Sequence, residues 1–344
     1  MKTLHLRIRE IVEETSDSKS YYFDNQELVY KAGQFLSFLI PVSSGQIRRA
    51  YSFCTSPSAD EFPGITVKRV SNGIGSRYIL DEWNVGDVVE CLPPAGKFCL
   101  NDDLEICPLL FAAGSGIVPI FSILKEFLFH RPYAQVFLNY SNQSPESTIF
   151  HDRLRNLHET YPGLNARFFF SNAFNIIDAR MNGDYLDRFF KTQVPSEPLP
   201  LHVFACGPET YMYLCEVKTK LHGIIKERFH SELYWRELSS QNPSHKFADG
   251  LFEVHLNQNN YSGVIQVPGN KTILKALREA GIETPWSCEG GRCSTCQIHL
   301  TEGEVYMSRN EVLTENDLKK GLILTCTAYP TKGPISLRQN SAEA

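Results

Sequence analysis

At 344 residues the chain exceeds one ordinary core, so two or three domains are expected. Charged residues make up 21% and hydrophobic residues 42%, a globular balance that excludes a disordered chain. The formal net charge of −5 argues against nucleic acid as a partner and against a polybasic membrane contact.

Residues 1 to about 100 read as β structure. Leu4, Leu6 and Ile8 alternate, and the N-terminus shows no signal-peptide apolar core. Alternation returns near Tyr21-Tyr22-Phe23 and over 34–40, with Gly and Pro punctuating at short intervals, the pattern of a closed antiparallel barrel. Two stretches carry more than scaffold. In Arg49-Ala50-Tyr51-Ser52, the guanidinium fork suits a pyrophosphate, the phenol can lie on a planar ring, and the hydroxyl can reach a ring nitrogen. Val67-Lys68-Arg69 leads to Gly73-Ile74-Gly75-Ser76, a turn entering a helix whose N–H groups can meet phosphate. Neither pattern is specific alone; the first reads equally as strand packing and the second as a plain turn.

From about 105 to 235 the period changes. Residues 107–124 carry no charge, but Pro108, Gly114-Ser115-Gly116 and Pro119 divide them into a strand, a turn and a helix start rather than a membrane span. Strands near 134–140, 164–170 and 201–205 alternate with helices over 150–158, 185–190 and after Cys206-Gly207-Pro208. This spacing predicts a parallel sheet with helices on both faces and nucleotide at the strand C-termini. The turn at 114–116 lacks a third glycine, since Pro119 stands there.

Residues 237–249 are polar and Pro-containing and read as a linker. Beyond it come strands over 251–256 and 261–267, a turn at 257–260 and a helix over 272–280 capped by Asn270 or Thr272. A cysteine loop, a helix over 311–319 and a strand around Cys326 follow. The loop reads Cys288-Glu-Gly-Gly-Arg-Cys293-Ser-Thr-Cys296, and with distant Cys326 it has the plant-type spacing for a [2Fe–2S] cluster. Gly290 and Gly291 let it curl and bring N–H groups toward sulfur. Four-thiolate zinc is the alternative, but structural zinc favours two short Cys pairs and only Cys293/Cys296 form one. The other six cysteines are scattered in apolar company and read as reduced core thiols of a cytoplasmic protein.

In this order and at these spacings, the four motifs and the cysteine loop resemble the ferredoxin–NADP reductase superfamily with a C-terminal plant-type ferredoxin domain. Within it, Cys91-Leu-Pro-Pro-Ala-Gly-Lys-Phe98 and Leu322-Ile-Leu-Thr-Cys326-Thr-Ala-Tyr-Pro330 are similar to the reductase subunit of phenylacetyl-CoA epoxidase. The resemblance implies a multidomain fold. An antiparallel β-barrel flavin domain covers 1–103, and an α/β parallel-sheet NAD(P)-binding domain covers 104–236. The linker then leads to an α+β ferredoxin-like (β-grasp) domain over 250–344. It implies FAD, NADPH or NADH as donor, a [2Fe–2S] cluster on Cys288, Cys293, Cys296 and Cys326, and an oxygenase component or other electron acceptor as partner.

The resemblance also implies residue roles. Arg49 would hold the flavin pyrophosphate, Tyr51 would pack on the isoalloxazine and Ser52 would approach flavin N5. Ala50, Val67, Lys68, Arg69, Gly73, Gly75 and Ser76 would complete the flavin site. Gly114, Ser115, Gly116 and Pro119 would form the nicotinamide-nucleotide turn. Cys206 would stand near the hydride path, with Gly207 and Pro208 shaping its pocket and Glu232 or Tyr234 covering the flavin. NADPH-preferring relatives often carry an Arg after the third strand. Here Ser141-Asn142-Gln143 and Ser171-Asn172 carry none, and Arg180 substitutes only if its loop folds back, so the donor stays open.

From Gly250 onward ten acidic and nine basic side chains leave a net charge of −1. That is too weak a field to steer a mobile carrier, and it favours loading of the cluster by the chain's own flavin. The linker would then let the last domain swing toward an acceptor; a small carrier as acceptor and a redox sensor are the competing readings. Shortening residues 237–249 is expected to slow acceptor reduction and leave flavin reduction unchanged in stopped-flow absorbance. Equal acceptor rates would remove the swing.

Overall fold

The computed structural model describes residues 3–42, 45–100, 104–173, 179–194, 199–233, 247–258, 261–291, 294–310 and 312–339. They form two compact units, one from 2–94 with 98–234 and the other from 235–344 with 95–97. Tyr234, Arg292, Cys293 and most of the expected linker lie outside the described residues.

The first unit opens with strands β1 (Leu4–Thr15), β2 (Ser18–Phe23), β3 (Phe35–Val42), β4 (Gly45–Ser52) and β5 (Gly64–Lys68). Helix α1 (Ile74–Glu82) and strand β6 (Val88–Ala95) follow. They make one antiparallel sheet in the order β4-β3-β6-β1-β2-β5. Its edges meet where Phe53 bridges Ile65 and the Cys54 N–H donates to the Gly64 carbonyl at 2.9 Å, which closes the sheet into a barrel. Closure gives the alternating apolar residues an inside: Leu6, Ile8, Phe38, Ile65 and Val67 fill one core.

A parallel sheet completes this unit. Strands β7 (Cys107–Ala113), β8 (Val136–Asn142), β9 (Leu164–Phe170), β10 (Leu201–Gly207) and β11 (Phe229–Leu233) lie in the order β11-β10-β7-β8-β9. Helices α2 (Ile117–His130), α3 (His151–Thr160), α4 (Gly183–Thr192) and α5 (Glu209–Leu221) connect them. Leu110 and Leu138 pack on Ile120, Phe121 and Leu124 of α2, whereas Leu109 and Phe111 pack on Phe189 of α4 and Met212 of α5. This alternation fills both faces, as a parallel sheet requires. The uncharged run at 107–124 ends as a strand and the start of α2, and no helix among the described residues is long and apolar enough to cross a membrane. Helix α3 starts one residue later than expected because Phe150 takes φ +62° and stacks its ring on Phe121 at 4.4 Å.

The second unit holds strands β12 (Leu251–Gln258) and β13 (Tyr261–Pro268), helix α6 (Ile273–Glu279), strand β14 (Gln297–Met307) and helix α7 (Glu315–Lys319). Strands β15 (Leu322–Leu324) and β16 (Ala328–Arg338) end it. The mixed sheet runs β13-β12-β16-β14-β15, with β12 and β16 parallel. Thr272, not Asn270, caps α6. Helix α7 is shorter than the expected 311–319. Asn310 Oδ1 accepts from the Val312 and Leu313 N–H groups, so the helix waits for Thr314, whose hydroxyl accepts from the Asp317 N–H.

One part-buried pair makes the stability of the first unit pH-dependent. His230 stacks on Phe204 with centroids 4.6 Å apart, and its Nε2 is 3.1 Å from His202 Nδ1. Burial, with His202 adding to it, pushes the His230 imidazolium down to about 4 from 6.5. The unfolded chain therefore takes up the proton first. Stability is full above pH 6.5 and falls as pH drops from 6.5 toward 4. By pH 5 the loss is about 2 kcal/mol. Urea unfolding at pH 7 and pH 5 should show this slope in the wild type and a flatter one in His230→Gln; parallel slopes would refute it.

Candidate functional site

The site lies where β4 of the barrel meets the C-terminal edge of the parallel sheet. Alternation along β4 puts Arg49 and Tyr51 on one face and Ala50 and Ser52 on the other. Arg49 and Tyr51 face the first turn of α1. A Cβ on Gly75 would stand 2.7 Å from Arg49 Cγ and 3.4 Å from the Tyr51 hydroxyl, so the helix sits this close only because residue 75 is glycine. Gly73 is the N-cap, and the Ser76 hydroxyl accepts from the Val70 N–H at 3.1 Å, which holds the turn.

The Val67-Lys68-Arg69 stretch makes the following contacts in the structure. The Val67 side chain is in the barrel core, Lys68 pairs with Asp17 at 3.5 Å and Arg69 pairs with Asp81.

On the other face, the Ser52 hydroxyl donates to Glu232 Oε2 at 3.2 Å. Both are nearly sequestered, at 4% and 9% exposure. Glu232 lies on β11 directly beside Cys206 of β10, and Cys206 lies beside Ala112 of β7. Ser52, Cys206 and Glu232 thus converge from three strands far apart in sequence.

The nucleotide turn is fixed to the same edge. A Cβ on Gly116 would fall 2.1 Å from the Cys206 carbonyl oxygen and 3.0 Å from the Gly207 nitrogen. Gly114 takes φ +54°, and its carbonyl accepts from the Tyr140 hydroxyl at 3.0 Å. Ser115 completes the turn, Pro119 is buried in the first turn of α2, and Pro208 precedes α5. Gly207 leaves room for Ala113 and Tyr211, whose atoms would lie 2.9 and 3.1 Å from a Cβ there.

In the second unit, Cys326 lies in the turn between β15 and β16 rather than in the expected strand. Thr325 explains it. Its N–H and hydroxyl both donate to the Cys296 carbonyl, at 3.2 and 3.1 Å, which sets Cys326 beside Cys296. The two thiols hydrogen-bond each other, holding Cys296 below and pushing Cys326 above the ordinary thiol value. The Gly290 N–H donates to Cys288 Sγ at 3.4 Å, and the Gly291 N–H reaches the Cys326 sulfur. The curl comes from Glu289, Gly291 and Ser294, at φ +51°, +76° and +55°, and not from Gly290.

Comparison with known proteins decides what this arrangement is. Family profiles match an oxidoreductase FAD-binding domain at 5–99, an oxidoreductase NAD-binding domain at 110–216 and a 2Fe-2S iron-sulfur cluster binding domain at 256–331. The ferredoxin reductase component of a 3-ketosteroid-9-alpha-monooxygenase from Rhodococcus rhodochrous is 32% identical over 98% of this chain and 97% of its own. The chain belongs to this family of ferredoxin reductase components. A glycine betaine monooxygenase reductase subunit from Pseudomonas aeruginosa is 26% identical over 96% of this chain and 93% of its own. Phthalate dioxygenase reductase, described as a modular structure for electron transfer from pyridine nucleotides to [2Fe-2S], superposes with a TM-score of 0.61 at 26% identity over 98% of both chains.

This ferredoxin reductase is an NAD(P)H-dependent oxidoreductase built for FAD, a nicotinamide nucleotide and a [2Fe–2S] cluster. Its residues fit those groups. The start of α1 is held by Gly75 against an arginine and a phenol, donors suited to a flavin nucleotide. At the sheet edge, the Asn142 side-chain N–H group is buried with only the Tyr140 phenol near it, so it retains donor capacity for a nucleotide. Cys296 and Cys326 stand together and Cys288 receives a backbone N–H, soft donors of the kind iron–sulfur takes, although the described residues group no three ligating side chains tightly. The remaining six cysteines form no disulfide, and burial pushes the Cys91 and Cys107 thiols up to about 12 and 11, keeping them protonated.

Sequence reading missed the contact of α2 with the barrel, because polar side chains seventy residues apart leave no periodicity. It also could not show that Lys68 and Arg69 are already paired. The two close approaches give a paired prediction. Gly116→Ala should weaken NAD(P)+ binding at least about tenfold in calorimetry with flavin retained, whereas Gly75→Ala should lower the flavin-to-protein ratio first. The reverse pattern would contradict the assignment of the two turns.

Proposed function

We propose that this reductase takes a hydride from NADPH or NADH at the Ser52–Cys206–Glu232 edge and feeds single electrons to the oxygenase component of a two-component system. The observation that carries it is the Ser52–Glu232 hydrogen bond, which ties the end of the flavin strand to the edge of the nucleotide sheet. The domain division follows the sequence reading, at 1–103, 104–236 and 250–344.

When bound, FAD accepts two electrons as a hydride and releases them singly to the [2Fe–2S] cluster. The chain's residues supply position. Arg49 grips the pyrophosphate, Tyr51 lies against the ring system, and Gly75 and Ser76 offer N–H and hydroxyl groups to phosphate. Ser52 is oriented by Glu232 toward flavin N5. Gly114 to Gly116 cradle the nucleotide, and buried Cys206 flanks the nicotinamide and excludes water. Tyr234, two residues beyond Glu232, is assigned with it to the flavin face. Cys288, Cys293, Cys296 and Cys326 hold the cluster. No strong acid or base is required.

For the acceptor, the motifs at 91–98 and 322–330 favour phenylacetyl-CoA epoxidase, while the relatives named above serve a steroid and a glycine betaine monooxygenase. The absence of disulfides among the described cysteines suits a cytoplasmic setting.

Anaerobic titration with NADPH and then NADH, followed by absorbance and electron paramagnetic resonance, tests the relay. Flavin bleaching with a reduced [2Fe–2S] signal is expected, and the faster nucleotide identifies the donor. Bleaching without the signal would remove the cluster from the relay. Turnover should then rise with added phenylacetyl-CoA epoxidase oxygenase subunits; faster coupling to a steroid oxygenase would reassign the partner.

A further inference from the structure

Helix α2 begins at the nucleotide turn, and its far end is bound to the chain that continues from the flavin strand. Four residues past Ser52 the barrel chain turns over this helix. The Ser56 hydroxyl donates to Glu126 Oε2 at 2.5 Å, the Ser58 N–H donates to the same oxygen at 3.1 Å, and the Ser58 hydroxyl donates to Oε1 at 2.7 Å. His130, one turn on, is 3.1 Å from Glu126 Oε1 and 3.2 Å from the Ser58 hydroxyl. Lys125, only 8% exposed, pairs with Asp60, whose carboxylate also accepts from the Ser56 N–H at 2.6 Å. The Ser122 hydroxyl donates to the Thr55 carbonyl at 2.5 Å and accepts from the Gly33 N–H at 3.1 Å. One helical face, Ser122–Lys125–Glu126–His130, therefore grips loop 55–60 with charge-assisted, directional bonds.

We propose that Lys125 and Glu126 are positioning residues for hydride transfer: through loop 55–60 they fix Ser52 and the flavin strand against the helix that starts at the nucleotide turn. This rests on the assignment of β4 to flavin and of 114–116 to the nicotinamide nucleotide. The hydride carries its hydrogen and both electrons from nicotinamide to flavin, so the nucleotide is oxidised and the flavin reduced in one step. That step is sensitive to displacement on the ångström scale. Neither residue touches the reacting atoms, so their loss should alter alignment and leave binding intact.

The experiment uses full-length holoprotein and two variants. Glu126→Gln keeps the shape and weakens three bonds; Ser58→Ala, at an exposed loop position, removes two hydroxyl contacts with little risk to folding. Anaerobic stopped-flow should show the flavin-to-protein ratio and the NAD(P)+ dissociation constant unchanged. Hydride transfer should slow roughly tenfold in Glu126→Gln and less in Ser58→Ala. The long-wavelength charge-transfer absorbance between reduced flavin and oxidised nucleotide should weaken in the same order, a signature that general destabilisation would not move. The double variant should match Glu126→Gln, because both act on one contact. Wild-type rates with an undiminished charge-transfer band would overturn the proposal. So would flavin loss in step with the rate, which would make the contact a matter of retention. Failure of the underlying assignment is separate: it would appear as wild-type flavin that neither nucleotide bleaches.

Discussion

Two helices approach strands with no room for a methyl group, and the rest of the site depends on that closeness. Gly116 puts the start of α2 against the Cys206 carbonyl, and Gly75 puts the start of α1 against Arg49. Helix N-termini carry unsatisfied N–H groups and a partial positive charge. Such helix starts are anion-binding ends, and at α1 the Arg49 guanidinium adds its own charge. This is consistent with a chain of net negative charge that handles two polyphosphate cofactors. A side chain at Gly116 would strike the Cys206 and Gly207 backbone and push the helix away, and one at Gly75 would displace Arg49.

Much of this was legible in the sequence, for a physical reason. Strand alternation, Gly-rich turns at strand ends and close cysteine spacing are all local, so the barrel, the parallel sheet and the cluster loop could be read directly. Arg49, Tyr51 and Ser52 carried their faces with them, because alternation in β4 follows from position alone. What was illegible depended on partners. That Lys68 and Arg69 stand beside Asp17 and Asp81 could not be read from their own neighbours. Cys326 was assigned to a strand because its neighbours are apolar, whereas Thr325 draws it into a turn by bonding the Cys296 carbonyl. The start of α7 depended on whether Asn310 would spend its side chain on Val312 and Leu313.

In the ferredoxin unit the same logic governs the thiols. Cys296 and Cys326 are thirty residues apart, and bringing them together costs chain entropy in any loop of that length. β14, β15 and the Thr325 bonds bring the two thiols together. Buried thiols ionise readily only beside a cation, and iron would supply that charge at this loop. Glu289 and Ser294 accept left-handed backbone around the loop, a strain that the surrounding bonds sustain.

The junction of barrel and sheet shows how alignment differs from adhesion. The apolar contact of Phe98 with Phe204, centroids 6.0 Å apart, helps hold the two layers together, but burial is non-directional and tolerates sliding. Hydrogen bonds to Glu126 weaken steeply with angle, and the Lys125–Asp60 pair, once removed from water, tolerates little displacement before its desolvation is uncompensated. A polar seam of this kind adds little net stability compared with an apolar one of equal area. Its effect is to select one register among the many that packing alone would allow. Hydride transfer needs such selection, because the reacting atoms belong to two molecules held by two different sheets.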